Sequence, residues 1–237
     1  MNPVASLARR INFIRPNYVL YAIIALNALV FAAWQYSTES FRKFNDPKAY
    51  IFMCKNFLFG EMNLAQGRIW TLLTSCISHE DSTHFLLNML SLAFMGSHVV
   101  MHIGNTAFLS LYFGAGIATA LVSLAWNRFV SPWLGRGMHS PQVRAANGGS
   151  PQQRASHGAS GSVYAILSTF ACMSPRTTFL LFFVIPIPAW ACISGIFVWD
   201  LSQAWFRPGG PIDSAAHIGG ILAGVLFWRF KLKGHRV

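Results

Sequence analysis

The chain has 237 residues, of which 54% are hydrophobic and only 11% are charged, and its formal net charge is +11. Soluble domains carry about 25% charged residues, so this composition excludes a large soluble domain. The positive charge does not predict a nucleic-acid partner, because no nucleic-acid-binding motif accompanies it. Lys and Arg in loops and tails are instead typical of membrane proteins, where they anchor the spans and contact anionic membrane lipids.

Apolar runs, uncharged apart from Asp213 at the start of the last one, predict six transmembrane helices. A span needs about 20 apolar residues, or about 17 at the short end. The runs cover residues 18–36, 85–127, 158–174, 177–199 and 213–228, and the second is long enough for two spans with a break near Gly104-Asn105. We therefore expect an all-α membrane protein. It would be a six-transmembrane-helix bundle over residues 18–232, with basic tails at 1–17 and 233–237.

Two long connections separate these predicted spans. The first, about residues 37–83, mixes aromatic and basic residues, a composition that suits the membrane interface. We expect it to lie on the bilayer or dip into it beside the bundle. The second, about residues 127–157, is rich in Ser, Pro, Gly and Gln and predicts a mobile loop. This loop and the fifth span are the candidate gates.

Three clusters of polar residues interrupt the predicted spans. They are Ser160 between Gly158 and Gly161 at the start of the fourth span, His84 with Asn88 at the start of the second, and His217 near the start of the sixth. A polar side chain inside hydrocarbon is energetically expensive, so each cluster is a candidate functional site.

Small residues on the sixth span predict how the clusters meet. His217 is followed by Gly220 and Gly224, a spacing that lets a neighbouring helix approach closely. The glycines around Ser160 form a matching small surface on the fourth span. We therefore expect the fourth and sixth helices to pack tightly and to bring Ser160 to His217.

This arrangement predicts serine-type hydrolysis. A serine hydroxyl needs a base within hydrogen-bond reach, usually a histidine, so Ser160 is the candidate nucleophile and His217 the candidate base. His84 and Asn88 share one helix face, and their side chains are candidate donors to an oxyanion, together with backbone amides at a helix start. Tyr164 shares a helix face with Ser160. Taken singly, these residues have simpler interpretations as a helix cap, an interfacial histidine or a contact between helices.

No metal or cofactor site is predicted. His98 and His102 have the i, i+4 spacing of two zinc ligands, which leaves a metal-dependent hydrolase or transporter as a weaker alternative. The glutamate that a zinc protease needs between them is missing, and no nearby carboxylate supplies a third ligand. Asp213 is predicted to cap the sixth helix, and Asp200 is interpreted as a helix-end residue. The cysteines are scattered and are predicted to be packing residues.

Together the three clusters resemble the rhomboid intramembrane serine proteases. The motifs are His84-Phe-Leu-Leu-Asn88, Gly158-Ala-Ser160-Gly161 and Ala216-His217-Ile-Gly-Gly220-Ile-Leu-Ala-Gly224, and the likeness covers about residues 68–230. The resemblance implies a Ser160–His217 dyad that needs no aspartate, and transmembrane proteins as substrates. It also implies that His84 and Asn88 help the Ser160 amide to form the oxyanion hole, and that Tyr164 packs against the ring of His217.

Within that family the sequence is most similar to the mitochondrial branch, the presenilin-associated rhomboid-like proteases and their fungal counterparts. The shared segments are "TSCISHEDSTHFLLNMLSL", "HGASGSVYAIL" and "DSAAHIGG". This similarity implies the mitochondrial inner membrane and single-pass substrates that are cleaved in or near their spans. That branch typically has a further helix and a longer targeting region before the core, whereas here a short basic, acid-free stretch precedes the first apolar run. A relative that binds transmembrane clients without cutting them is the alternative.

Overall fold

The computed structural model describes residues 3–133, 158–181, 184–206 and 213–233. The main helices in chain order are α1 (Pro3–Asn12), α2 (Pro16–Phe44), α3 (Lys48–Phe57), α4 (Glu61–Ala65), α5 (Thr71–Thr74), α6 (Ser82–Ile103), α7 (Asn105–Ala125), α8 (Ser160–Met173), α9 (Ala189–Phe206) and α10 (Ser214–Phe227). Two strands, β1 (Thr178–Leu181) and β2 (Ile185–Pro188), form an antiparallel hairpin.

Shorter segments extend or link these helices. A 3₁₀ turn, Ser75–Ile77, follows α5. A π-helical segment, Trp126–Val130, and a last helical turn, Ser131–Trp133, extend α7 into the start of the predicted loop over 127–157. The rest of that predicted loop lies outside the described residues. A second π-helical segment, Trp228–Leu232, extends α10.

Four helices in the described part of the chain are long and apolar enough to cross a membrane. They are Pro16–Phe44, Ser82–Ile103, Asn105–Val130 and Ser214–Leu232, and Ser160–Met173 is a shorter apolar helix. The predominantly helical architecture of a multi-pass membrane protein agrees with the prediction. The count of six spans stays a prediction.

Helix α8 lies at the centre of the bundle. Ten of its 14 residues are buried, and it packs against α6, α7, α9 and α10, most extensively against α10. At 1.5 Å per residue it is about 21 Å long, which is shorter than the roughly 30 Å hydrocarbon core of a bilayer. A central helix of this length can end inside the bilayer, because its neighbours shield its ends from lipid.

The predicted fifth span over 177–199 is wrong in its first half, which forms the β hairpin. In the hairpin, Pro186 pairs with Leu180 and Pro188 with Thr178. Proline has no backbone N–H and clashes with the preceding turn inside a helix, so the helix starts only at Ala189. Helix α9 extends to Phe206, well beyond the predicted end.

The first long connection is largely helical. Helix α2 continues past the predicted end of the first span to Phe44, and α3, α4 and α5 follow it. The connection is fastened to the bundle by Trp34, whose Nε1 donates to the Ser78 hydroxyl at 2.8 Å, and by the Tyr50 hydroxyl, which donates to Glu80 at 3.3 Å. Burial and the neighbouring Glu80 carboxylate raise the pKa of Tyr50. The location of this first long connection at the membrane interface stays a prediction.

The predicted break between the second and third spans is confirmed at Gly104, which has a φ of +80°. Helix α1, in the predicted basic tail, packs against this turn. The side-chain Nδ2 of Asn105 donates to the backbone carbonyls of Ile11 and Ile14 at 2.8 and 2.7 Å. The Asn12 side chain accepts from the backbone amide of Thr106 at 3.0 Å.

Candidate active site

Ser160 is the first residue of α8 and is 7% exposed. The helix is preceded by Gly158, whose φ of +124° is a conformation that favours glycine. The Gly158 amide donates to the Ser75 carbonyl at 3.1 Å, which ties the entry of α8 to the 3₁₀ turn. Because the first amides of a helix have no intrahelical acceptor, Ser160 stands among backbone donors at the positive end of the helix dipole.

His84 lies beside this helix start. A Cβ added to Gly158 would lie 2.9 Å from His84 Cε1, so glycine leaves the room that the imidazole ring occupies. His84 itself is held in the first turn of α6, where its amide donates to the capping Asp81 carboxylate at 2.7 Å. Two predicted members of the site, His84 and the Ser160 segment, therefore meet.

Asn88 lies one turn after His84 and is buried. Its side-chain amide donates to the His84 carbonyl at 2.8 Å. An asparagine amide has two N–H donors, so this bond leaves one donor of Asn88 for another acceptor. The oxyanion-hole roles of His84 and Asn88 stay predictions.

The close packing predicted for the fourth and sixth spans is confirmed, and these spans are α8 and α10 in the structure. A Cβ on Gly220 would overlap the Gly161 carbonyl oxygen, and one on Gly224 would overlap the Ala165 carbonyl oxygen and the Ser168 hydroxyl. The two backbones are therefore in direct contact, and only glycine fits on the α10 side.

The surface that Gly158 and Gly161 present differs from the prediction. The sequence predicts that both glycines face the sixth span, but the Cα of Gly161 faces the third span, where an added Cβ would overlap the Thr119 side chain. Gly158 faces His84, as described above. The α8 surface that meets the α10 glycines consists of the Gly161 and Ala165 carbonyls together with the Tyr164 and Ser168 side chains. Helix rotation rather than the G-x-S-G spacing determines this.

His217 lies in the first turn of α10 and is 8% exposed. The ring of Tyr164 stacks on its imidazole, with centroids 4.2 Å apart and planes inclined by 19°. This is the contact that the resemblance implied for Tyr164. The stack fixes the plane of the imidazole, and so limits the directions in which its two nitrogens point.

Asp200 is the residue that the sequence interpretation missed. The sequence predicts a helix-end residue at this position, but Asp200 lies within α9 and is 3% exposed. Its carboxylate oxygens lie 3.2 and 3.3 Å from His217 Nδ1. The available signal was a lone acid in an apolar stretch, which is expensive in a membrane unless paired.

Asp213, the other acid near His217, caps α10 as predicted. Its carboxylate accepts from the Ala216 amide at 3.1 Å and from the Ser123 hydroxyl of α7 at 2.6 Å. It therefore holds the start of α10 against α7.

The histidine pair considered as a zinc site does not gain a third ligand in the described part of the chain, where no group of three potential metal ligands occurs. The rings of His98 and His102 lie 4.2 Å apart. His102 Nδ1 lies 2.8 Å from the His98 carbonyl, and His98 Nε2 lies 3.4 Å from the Ser174 hydroxyl. These contacts give both rings ordinary packing and hydrogen-bonding roles.

Chemically, the structure offers a buried serine at a helix N-terminus with His84 beside that helix start, and on the adjoining helix α10 a histidine whose ring contacts Tyr164 and Asp200. Comparison with known proteins agrees with this pattern. The Rhomboid domain family matches residues 66–233. RHOMBOID-like protein 12, mitochondrial, of Arabidopsis thaliana is 30% identical over 217 residues, which are 91% of this chain and 59% of that protein.

Two further relatives extend the comparison. Rhomboid protein 1, mitochondrial, of Saccharomyces cerevisiae is 30% identical over 90% of this chain and 53% of its own length. Rhomboid protease GluP of Bacillus subtilis is 26% identical over 68% of this chain and 26% of its own length. The chain thus spans little more than half the length of the mitochondrial relatives named here. It belongs to the rhomboid family, with mitochondrial rhomboid proteins among its relatives.

Proposed function

We propose that this chain is an intramembrane serine endopeptidase that cleaves single-pass transmembrane proteins with a Ser160–His217 dyad. The main observation behind the proposal is that Ser160 and His217 are both buried and lie next to a place where the backbones of α8 and α10 are in contact. Gly161 follows Ser160 directly and Gly220 lies one turn after His217, and these two glycines are where α8 and α10 touch. The relatives named mitochondrial support a site of action in mitochondrial protein processing. The inner membrane, which the family resemblance implies, is part of the proposal.

In the proposed reaction the Ser160 hydroxyl attacks the scissile carbonyl while His217 takes up its proton. The negative charge that develops on the carbonyl oxygen falls at the N-terminus of α8, where backbone amides and the helix dipole stabilise it. His84 and Asn88 add side-chain donors. His217 then protonates the leaving amine, and water hydrolyses the acyl-enzyme.

The substrate class follows from the location of the nucleophile. Since α8 is shorter than the bilayer is thick, Ser160 at its start can meet a peptide bond inside or near a substrate's own span. A helical substrate hides its carbonyls in hydrogen bonds to its own amides. The scissile segment must therefore unwind, and helix-destabilising residues near the cleaved bond are expected to speed cleavage.

The test compares the protein with three variants in liposomes. We would measure labelling by a fluorophosphonate, which reacts with activated serines, and cleavage of a model single-pass substrate. Ser160→Ala and His217→Ala are expected to abolish both. Ser162→Ala is the matched control, because Ser162 lies two residues away and its hydroxyl donates to the Tyr112 carbonyl at 2.6 Å rather than taking part in the proposed reaction.

The proposal fails if the folded wild-type protein neither labels nor cleaves, or if Ser160→Ala cleaves as well as the wild type. Binding of transmembrane peptides by a folded, unlabelled wild-type protein would instead support the non-cleaving relative. Thermal unfolding of each variant shows whether a loss of activity is a loss of folded protein.

A further inference from the structure

Asp200 lies where a charged residue is least expected. It belongs to an apolar helix in the interior of the bundle, and its side chain is 4% exposed. An ionisable group in such surroundings is stable only when it is paired, since the desolvation of a lone carboxylate is expensive. A buried carboxylate in a membrane protein is thus a candidate for a functional role.

The partner of Asp200 is the ring of His217, and the contact is made at one specific nitrogen. Both carboxylate oxygens approach Nδ1, at 3.2 and 3.3 Å. An ionised carboxylate only accepts hydrogen bonds. When Asp200 is ionised, Nδ1 therefore carries a proton, and in the neutral imidazole the lone pair then belongs to Nε2.

This tautomer is the one that serine catalysis requires. The base takes a proton from the serine hydroxyl at one ring nitrogen, so that nitrogen must hold a lone pair. The carboxylate also stabilises the imidazolium that forms when the proton is taken up. Tyr164 holds the face of the same ring, so Asp200 at the edge and Tyr164 on the face together determine its orientation.

We infer that Asp200 is a positioning residue, which holds His217 in the tautomer with Nε2 free and steadies the imidazolium during the reaction. The inference rests on the proposed function, and it departs from the dyad that the family resemblance implied. The inference gives different roles to the two acidic residues near His217. Asp200 acts on the imidazole ring, whereas Asp213 acts on the backbone of α10 and on Ser123.

The experiment compares Asp200→Asn with Asp213→Asn in the full chain. An amide at position 200 keeps the shape of the side chain but can donate to Nδ1 and favour the wrong tautomer. We expect Asp200→Asn to slow fluorophosphonate labelling by about 10²–10⁴-fold, as loss of a carboxylate partner does in other serine hydrolases. Asp213→Asn, which keeps a good helix-capping residue, is expected to change the labelling rate less than about threefold.

A second measurement reads the tautomer directly and does not depend on activity. Protein labelled with ¹⁵N at histidine is compared by NMR with the His217→Ala variant, which assigns the two nitrogens of His217. In the wild type, Nδ1 is expected to give the signal of a protonated nitrogen and Nε2 that of a lone-pair nitrogen. Asp200→Asn is expected to shift this distribution, and Asp200→Glu to restore it in part together with the labelling rate.

The outcomes separate the two proposals. If the wild type labels and Asp200→Asn, folded by thermal unfolding, labels at the same rate, Asp200 is not a positioning residue and the proposed function stands. An unchanged His217 tautomer in Asp200→Asn also overturns the inference. If the folded wild type does not label, the proposed function fails and the role of Asp200 in catalysis fails with it.

Discussion

The contact between α8 and α10 makes a quantitative prediction at Gly224. Replacement by alanine puts a Cβ only 2.9 Å from the Ala165 carbonyl carbon and closer still to its oxygen. Carbon atoms pack best at about 3.5–4.0 Å, so the carbonyl carbon alone requires the helices to separate by about 0.6 Å, and the closer carbonyl oxygen requires more. Backbone atoms cannot rotate away as a side chain would, and the hydrogen bond from the Thr169 hydroxyl to the Gly224 carbonyl, now 3.1 Å, is strained as well.

The expected cost follows from this displacement. Overpacking of a tight interior destabilises by about 1–3 kcal/mol, which for a chain of this size corresponds to a fall in Tm of roughly 2–12 °C. The same separation moves α10, which carries His217, relative to Ser160. Because a 1 Å error in the placement of catalytic groups can cost about 10²-fold in rate, we expect Gly224→Ala to lower activity by about 10–100-fold.

The matched control is Gly114→Ala. Gly114 is also a glycine within an apolar helix, but a Cβ there would meet nothing within 4 Å. We would measure Tm and the rate of fluorophosphonate labelling for both variants in the same detergent. Equal values for Gly224→Ala, Gly114→Ala and the wild type would refute the direct backbone contact.

Three further predictions concern other parts of the molecule. Gly158→Ala should reduce labelling at least tenfold, since it both strains the positive φ and pushes on His84. Gly67→Ala, with a φ of +75° and open space around it, is the control for a glycine substitution at positive φ that crowds no neighbouring side chain. Asp213→Ala should destabilise by about 0.5–2 kcal/mol through loss of the α10 cap, and a Tm equal to that of Asp213→Asn would contradict the capping role. Burial raises the pKa of the Cys76 thiol to about 12, so the thiol is protonated at pH 8. Mass spectrometry should show that Cys76 resists maleimide in the folded protein and reacts after denaturation, whereas rapid modification of the folded protein would exclude this buried environment.

Some features were predictable from the sequence because they depend on local composition. Long apolar runs are visible in one dimension, as is a polar residue that interrupts them, so the membrane class and the residues Ser160, His84, Asn88 and His217 could be named. Asp213 could be identified as a cap because capping is a contact within one turn. The glycines of α10 indicated close packing for the same reason, since their spacing alone places them on one helix face.

Other features required the tertiary structure because they depend on which helix faces which. The Cα of Gly161 faces Thr119 of α7, whereas its carbonyl oxygen faces Gly220 of α10, and helix rotation decides which helix each group meets. Asp200 contacts His217 because α9 continues past the predicted end at residue 199 to Phe206, which places residue 200 within the helix and opposite α10. The sequence by itself determined the membrane class and the candidate chemistry, whereas only the packing of distant helices decided the orientation of each side chain and the acid that meets the histidine ring.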